Sequence, residues 1–137
     1  DALDITNINI KNHHLNNQVK AIKSDLFNAI KNTNKKYDLI ISNPPYVNKQ
    51  DLEQMPKEYH HEPKMALEAG DDGLDLAHRI LKEAINYLNP NGVIIVEVGN
   101  SQDALEKAYP HVPFTWLEFE SGAYGVFLLT YEQLKNI

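Results

Sequence analysis

The chain contains no cysteine, which excludes disulfides and thiolate metal sites and suits the reducing cytoplasm. Its six histidines, His13, His14, His60, His61, His78 and His111, form no His-Glu-x-x-His pattern and no i, i+4 pair, so no metal is expected. No apolar run approaches the ~18 residues that a spanning helix needs, and no signal-peptide pattern opens the sequence, so no membrane association is expected. Basic residues are outnumbered, 13 against 19 acidic ones, for a net charge of −6. That balance opposes indiscriminate binding to phosphate backbones and direct DNA binding, although the cluster of Lys31, Lys35 and Lys36 leaves a local route to RNA. Glycine is scarce and late: the six are Gly70, Gly73, Gly92, Gly99, Gly122 and Gly125. The first half of the chain therefore has no glycine-rich loop to cradle a phosphate or a cofactor, and no P-loop or nucleophile elbow occurs. No internal repeat or low-complexity segment is present.

What is present is 137 residues, 42% of them hydrophobic, enough for one domain with a core. Apolar Ala2, Leu3, Ile5, Ile8 and Ile10 among polar neighbours predict an amphipathic helix over residues 1–14. A short strand is expected at 19–23 and a buried one at 37–42. Residues 51–59 predict a helix broken near Met55-Pro56, with a long loop up to Gly70. Leu74, Ala77, Ile80, Leu81, Ala84, Ile85 and Leu88 recur at helical spacing, so a helix is expected over 73–88, stopped by Pro90-Asn91-Gly92. A buried strand over 92–98 then carries Glu97, a costly position for a carboxylate unless it is paired. A helix over 101–109 is expected to be capped by Ser101. Strands at 114–120 and 125–130 are joined by the hairpin-length turn Ser121-Gly122-Ala123-Tyr124. Trp116, Phe119 and Phe127 are expected in the core. The class is α/β, with a mostly parallel sheet closed by a C-terminal antiparallel hairpin.

The most informative residues are Asn43-Pro44-Pro45-Tyr46, directly after the apolar run Asp38-Leu39-Ile40-Ile41 and Ser42. Pro44 and Pro45 have fixed φ and no N–H, and each biases the preceding residue toward extended backbone. The Asn43 side chain and the Pro44 carbonyl can then face whatever lies beyond the strand end, where open α/β sheets bind ligands. A plain turn fits these residues too. Similarly, Ser24-Asp25-Leu26-Phe27 after the first strand reads as a helix N-cap or as a ligand contact, and both can hold together.

Asn43-Pro44-Pro45-Tyr46 on this strand resembles the substrate motif of methyltransferases that modify planar, conjugated amino groups. Two branches carry it: amino methyltransferases of nucleic acid, and the HemK-like protein glutamine methyltransferases. Ser24-Asp25-Leu26-Phe27, His61-Glu62-Pro63-Lys64-Met65-Ala66-Leu67 and Asp72-Gly73-Leu74-Asp75-Leu76 are similar to HemK-like segments in the same order, and the resemblance runs over nearly all of the chain. Within that family, His61-Glu62-Pro63 and the tail Pro113-Phe114-Thr115-Trp116-Leu117-Glu118-Phe119-Glu120 resemble the branch acting on a large-subunit ribosomal protein more than the release-factor branch.

The resemblance implies a Rossmann-like class I methyltransferase sheet and S-adenosyl-L-methionine as methyl donor. It implies that Asn43, Pro44, Pro45 and Tyr46 hold the substrate amide, and that Asp25, Leu26 and Asn43 contact the cofactor. It also implies a ribosomal protein as partner, with RNA nearby through the ribosome. The glycine-rich turn and the acidic strand end of that family have no counterpart here, so residues 1–137 are expected to be a C-terminal part of the catalytic domain, truncated of its first strands, without a complete cofactor site and inactive alone. The strand at 19–23 would then lack its two bridging neighbours, whereas the later four strands should share one sheet.

Overall fold

A computed structural model describes residues 2–45, 73–120 and 122–137. The chain divides into two compact units, Asp1–Lys35 and Lys36–Ile137. Tyr46, the helix expected at 51–59 and the loop that follows it lie outside the described residues, as does Ser121.

The first unit is built on α1, Ala2–Asn12. It ends in a Schellman motif: Leu15 N–H donates to the Ile10 carbonyl at 2.9 Å and His14 N–H to Lys11 at 3.1 Å. His14 occupies the left-handed position with φ of 56°, where glycine is the usual choice. No strand forms at 19–23. A strand needs a partner for its backbone groups, and this segment has none within its unit; Val19 instead donates to the Leu15 carbonyl at 2.9 Å.

The second unit is a four-stranded sheet in the order β1-β2-β4-β3. Its strands are β1 at Tyr37–Ser42, β2 at Leu88–Glu97, β3 at Thr115–Leu117 and β4 at Val126–Thr130. β1 and β2 are parallel, while β4 runs antiparallel to both β2 and β3, so the sheet is mixed with a single parallel pair. Between β1 and β2 come α2, Asp75–Ala84, and its turn. After β2, a 3-10 turn at Gly99–Ser101 leads into α3, Gln102–Ala108, and α4, Tyr131–Leu134, follows β4.

Pairing shapes these boundaries more than local propensity does. The helix expected to reach Leu88 stops at Ala84, because Tyr87 and Leu88 are drawn to β1: Tyr37 N–H donates to the Tyr87 carbonyl at 2.8 Å, and Leu88 pairs with Tyr37. Pro90-Asn91-Gly92, read as a helix stop, lies within β2, where the register with β1 jumps from Tyr37↔Leu88 to Leu39↔Val93. A bulge tolerates a proline that cannot donate to the ladder. Ser101 precedes α3 but makes no side-chain cap bond; the 3-10 turn leads in instead. α4 is an addition to the expected elements: Thr130 and Gln133 form a reciprocal capping box whose T-x-x-Q pattern is visible in the sequence.

One face of the sheet carries the core. Ile94, Val96, Phe127 and Leu129 are fully buried, as are Leu74, Ile80 and Leu81 of the α2 segment and Leu105 of α3. Each such side chain contributes about 1.5–3 kcal/mol relative to exposure. Phe114 and Trp116 pack edge-on against Phe127, with ring centroids at 4.9 and 5.5 Å. β1 lies at the edge of the sheet, with Leu39 and Ile41 48% and 69% exposed. No helix among the described residues is long and apolar enough to cross a membrane.

Candidate functional site

β1 pairs residue for residue with the buried strand β2 from Leu39 to Ser42, ending at Ser42↔Val96. Asn43 therefore leaves the sheet level with Glu97, the last residue of β2, at the carboxyl end of the parallel pair. Asn43 is exposed, Pro44 is buried and Pro45 half-buried. The turn is thus anchored by an apolar ring that has no N–H to satisfy, and the asparagine amide stands at the surface. Glu97, half-buried, pairs across the ladder with Val126; its carboxylate sits at the strand end, where such a group is least costly. The structure brings Asn43, Pro44 and Pro45 together on one strand end, and Tyr46 lies outside the described residues.

Asp25 and Leu26 belong to the other unit. There the Ser24 hydroxyl accepts from Ala29 N–H at 2.9 Å and donates to the Leu26 carbonyl at 2.8 Å. Asn28 donates from both its backbone and its side chain to Asp25, at 3.0 and 3.2 Å. This corner leads into the 3-10 helix Asn28–Ile30, whose N-cap residue is Phe27 and makes no side-chain cap bond. Ser24 and Asp25 are therefore not the N-cap residue expected of them, and Ser24 reaches the helix only by accepting from Ala29 N–H. Leu26 is held at φ of 47°, a left-handed conformation that costs a non-glycine residue about 1–3 kcal/mol and is found where function or surroundings enforce it. Asp25 is exposed and Leu26 half-buried.

The rest of the carboxyl edge was not visible in the sequence. Gly125 has φ of 70°, and a Cβ there would lie 2.1 Å from the Gly99 carbonyl oxygen. The two glycines let the start of β4 press on the backbone that follows β2, where Val98 N–H donates to the Gly125 carbonyl at 2.7 Å. Phe119, expected in the core, is 45% exposed: β3 ends at Leu117, and beyond it the in-out alternation of a strand no longer applies. Trp116 is half-buried, and its indole N–H donates to Glu106 at 2.7 Å.

On the core side, the Tyr109 hydroxyl lies 2.8 Å from His78 Nδ1. Burial raises the phenol pKa above its ordinary value. His78 thus has a structural partner, and among the described residues no group of three or more His, Asp or Glu is placed to hold a metal ion.

Residues 2–101 match the Eco57I restriction-modification methylase family. A ribosomal protein uL3 glutamine methyltransferase of Francisella tularensis subsp. tularensis is 63% identical over 134 residues, which is 98% of this chain and 42% of that protein. Proteins of the same name from Neisseria meningitidis serogroup A and Neisseria gonorrhoeae are each 50% identical over 134 residues, 98% of this chain and 43% and 44% of theirs. The chain spans less than half the length of the curated relatives it matches.

Proposed function

We propose, from the premise that the chain belongs to the Eco57I restriction-modification methylase family, that the protein methylates the side-chain nitrogen of a glutamine in a large-subunit ribosomal protein. S-adenosyl-L-methionine would be the donor, and this chain would supply the substrate-facing part of the methyltransferase domain. The relatives' names support the substrate class. The observation that carries the chemistry is the exposed Asn43 on a buried Pro44 at the carboxyl end of β1.

A carboxamide nitrogen is a poor nucleophile because its lone pair is delocalised into the carbonyl. Asn43 Oδ1 and the Pro44 carbonyl oxygen are acceptors for its two N–H groups. Held by both, the amide is oriented and its lone pair is localised on nitrogen, aimed away from the strand end. This is positioning combined with electrostatic stabilisation of the positive charge that develops on nitrogen. No side-chain base is required, since the nitrogen proton becomes acidic as the new N–C bond forms and can leave to solvent.

Asp25 and Leu26 fit the adenine end of the donor by their chemistry: an exposed carboxylate suits an exocyclic amino group, and a half-buried aliphatic side chain suits a ring face. When bound, S-adenosyl-L-methionine supplies a methyl group activated by its sulfonium. A cysteine-free chain with a ribosomal substrate fits the cytoplasm.

A second reading, amino methylation of nucleic acid, is favoured by the matched family's description and opposed by the net charge of −6. Incubation of the complete methyltransferase domain, of which this chain would be a part, with methyl-labelled S-adenosyl-L-methionine, ribosomal proteins, release factors and nucleic acid separates the alternatives. Label on a glutamine of one large-subunit protein is the expected result. Label in nucleic acid selects the second reading, and label in a release factor moves the substrate to the other branch. Asn43→Ala should lower the rate by roughly 10²–10³ while leaving thermal unfolding unchanged, because the side chain is exposed.

A further inference from the structure

The sheet edge that carries Asn43 also carries a feature that the proposed chemistry does not use. β1 and β2 end together at Ser42 and Glu97, and β4 starts at Val126 opposite Glu97. The two arms that join β3 to β4, residues 118–120 and 122–125, therefore project from the same carboxyl edge. An open cavity of about 420 Å³ is lined there by Gln102, Trp116, Leu117, Glu118, Phe119 and Tyr124, among others. Phe119 and Tyr124 are 45% and 56% exposed. Between Thr115 and Thr130 the only charged residues are Glu118 and Glu120, both exposed, with no lysine, arginine or histidine among them. The base of the feature is fixed by the Gly99–Gly125 contact and by the hydrogen bond from Val98 to Gly125.

Exposed aromatic faces beside a cavity with an acidic rim suit a cation carried on an aliphatic stem. The ring attracts the charge, the cavity takes the stem, and the carboxylates set the sign. We propose that the β3–β4 hairpin is a shelf for the polypeptide bearing the target glutamine, and that it selects a lysine or arginine flanking that glutamine. The inference rests on the proposed function and names the recognition chemistry of the same edge. Charge complementarity and continuity with Asn43 along one sheet edge argue for this occupant. From β1 to β4 is two strand spacings and to β3 three, about 10–15 Å. An extended peptide covers that in about three to five residues, which sets the separation between glutamine and cation.

Trp116 is the only tryptophan and lines the cavity, so its emission reports occupancy. Three peptides of equal length, each with one glutamine, would be titrated into the full chain: one with lysine and arginine four residues from the glutamine, one with alanine there, one with glutamate. The basic peptide should shift Trp116 emission and bind about tenfold tighter than the alanine peptide, with the glutamate peptide weakest. Glu118→Lys with Glu120→Lys should abolish that preference, and Phe119→Ala with Tyr124→Ala should weaken binding of the basic peptide; all four side chains are exposed, so folding is retained. Equal binding of the three peptides, or an unchanged preference after the charge reversals, overturns the shelf. Methyl transfer to the same peptides is scored in parallel with the complete methyltransferase domain, of which this chain would supply the substrate-facing part. A basic peptide that binds the shelf yet is never methylated counts against the glutamine reading and not against the cation-selective surface, whereas methylation that ignores peptide charge overturns the shelf alone.

Discussion

Residues 2–35 and residues 36–137 differ in where their backbone and apolar groups find partners. In the first unit the bonds are local: α1 closes on its own Schellman turn, and the Ser24 corner closes on Ala29 and Leu26. Ile10 is the only buried residue among the described ones there. In the second unit, strands distant in sequence pair across one sheet around Phe127, Ile94, Val96 and Leu129. Local hydrogen bonds can hold a turn or a short helix, but apolar burial makes a unit cooperative, and burial needs elements that are far apart in the chain. The candidate substrate residues sit on the cooperative unit. The candidate cofactor corner sits on the local one, where Leu26 and His14 carry left-handed backbone with few buried contacts to enforce it.

The largest test of this contrast is Phe127→Ala. Its ring is fully buried against Phe114 and Trp116, so the loss should be about 3–5 kcal/mol. Chemical denaturation followed by Trp116 fluorescence should show the second unit giving way as a whole; a midpoint near that of the wild type would mean that the sheet core is not what holds it.

Gly125→Ala should come next, at about 2–5 kcal/mol, since its Cβ would strike Gly99 backbone and its φ is 70°. The same denaturation curve measures it. A small effect would show that the carboxyl edge yields, and would weaken the case for a fixed hairpin shelf.

A pH series gives a smaller, directional effect. The Tyr109 pKa is raised from its ordinary value of 10.0 by burial, so folding favours the protonated phenol. That contribution is fully present below pH 10 and is lost as pH rises through the folded-state value. The stability of Tyr109→Phe should fall less steeply above pH 10 in urea titrations than that of the parent chain.

The smallest expected change is in the first unit. His14→Gly removes a left-handed penalty at the α1 terminus and should raise helicity there, by no more than about 1 kcal/mol. Far-UV circular dichroism would detect it, while the Trp116 unfolding midpoint stays where it was. A shift of that midpoint would show that the two units unfold together.

Much of this was legible in the residues, because each such feature is a local matter of stereochemistry and spacing. Two prolines after a β-branched run fix a strand end at Asn43 whatever surrounds it, and the repeat from Leu74 to Ala84 declares a buried helix face. The T-x-x-Q of α4 is equally local, a capping box closed between Thr130 and Gln133. The strand expected at 19–23, the end of α2, the bulge around Pro90 and the exposure of Phe119 were not legible, because each depends on which distant segment offers a partner. Leu88 is as suited to a helix as to a strand until Tyr37 pairs with it. Residues 19–23 look like a strand until no neighbour is found. By itself, the sequence determined the apolar periods, the rigid turn that presents Asn43 and the acidic tail at Glu118 and Glu120. The tertiary structure alone decided that Asn43, Glu97 and the hairpin share one sheet edge, since only the pairing of β1, β2 and β4 converts residues some eighty positions apart into neighbours.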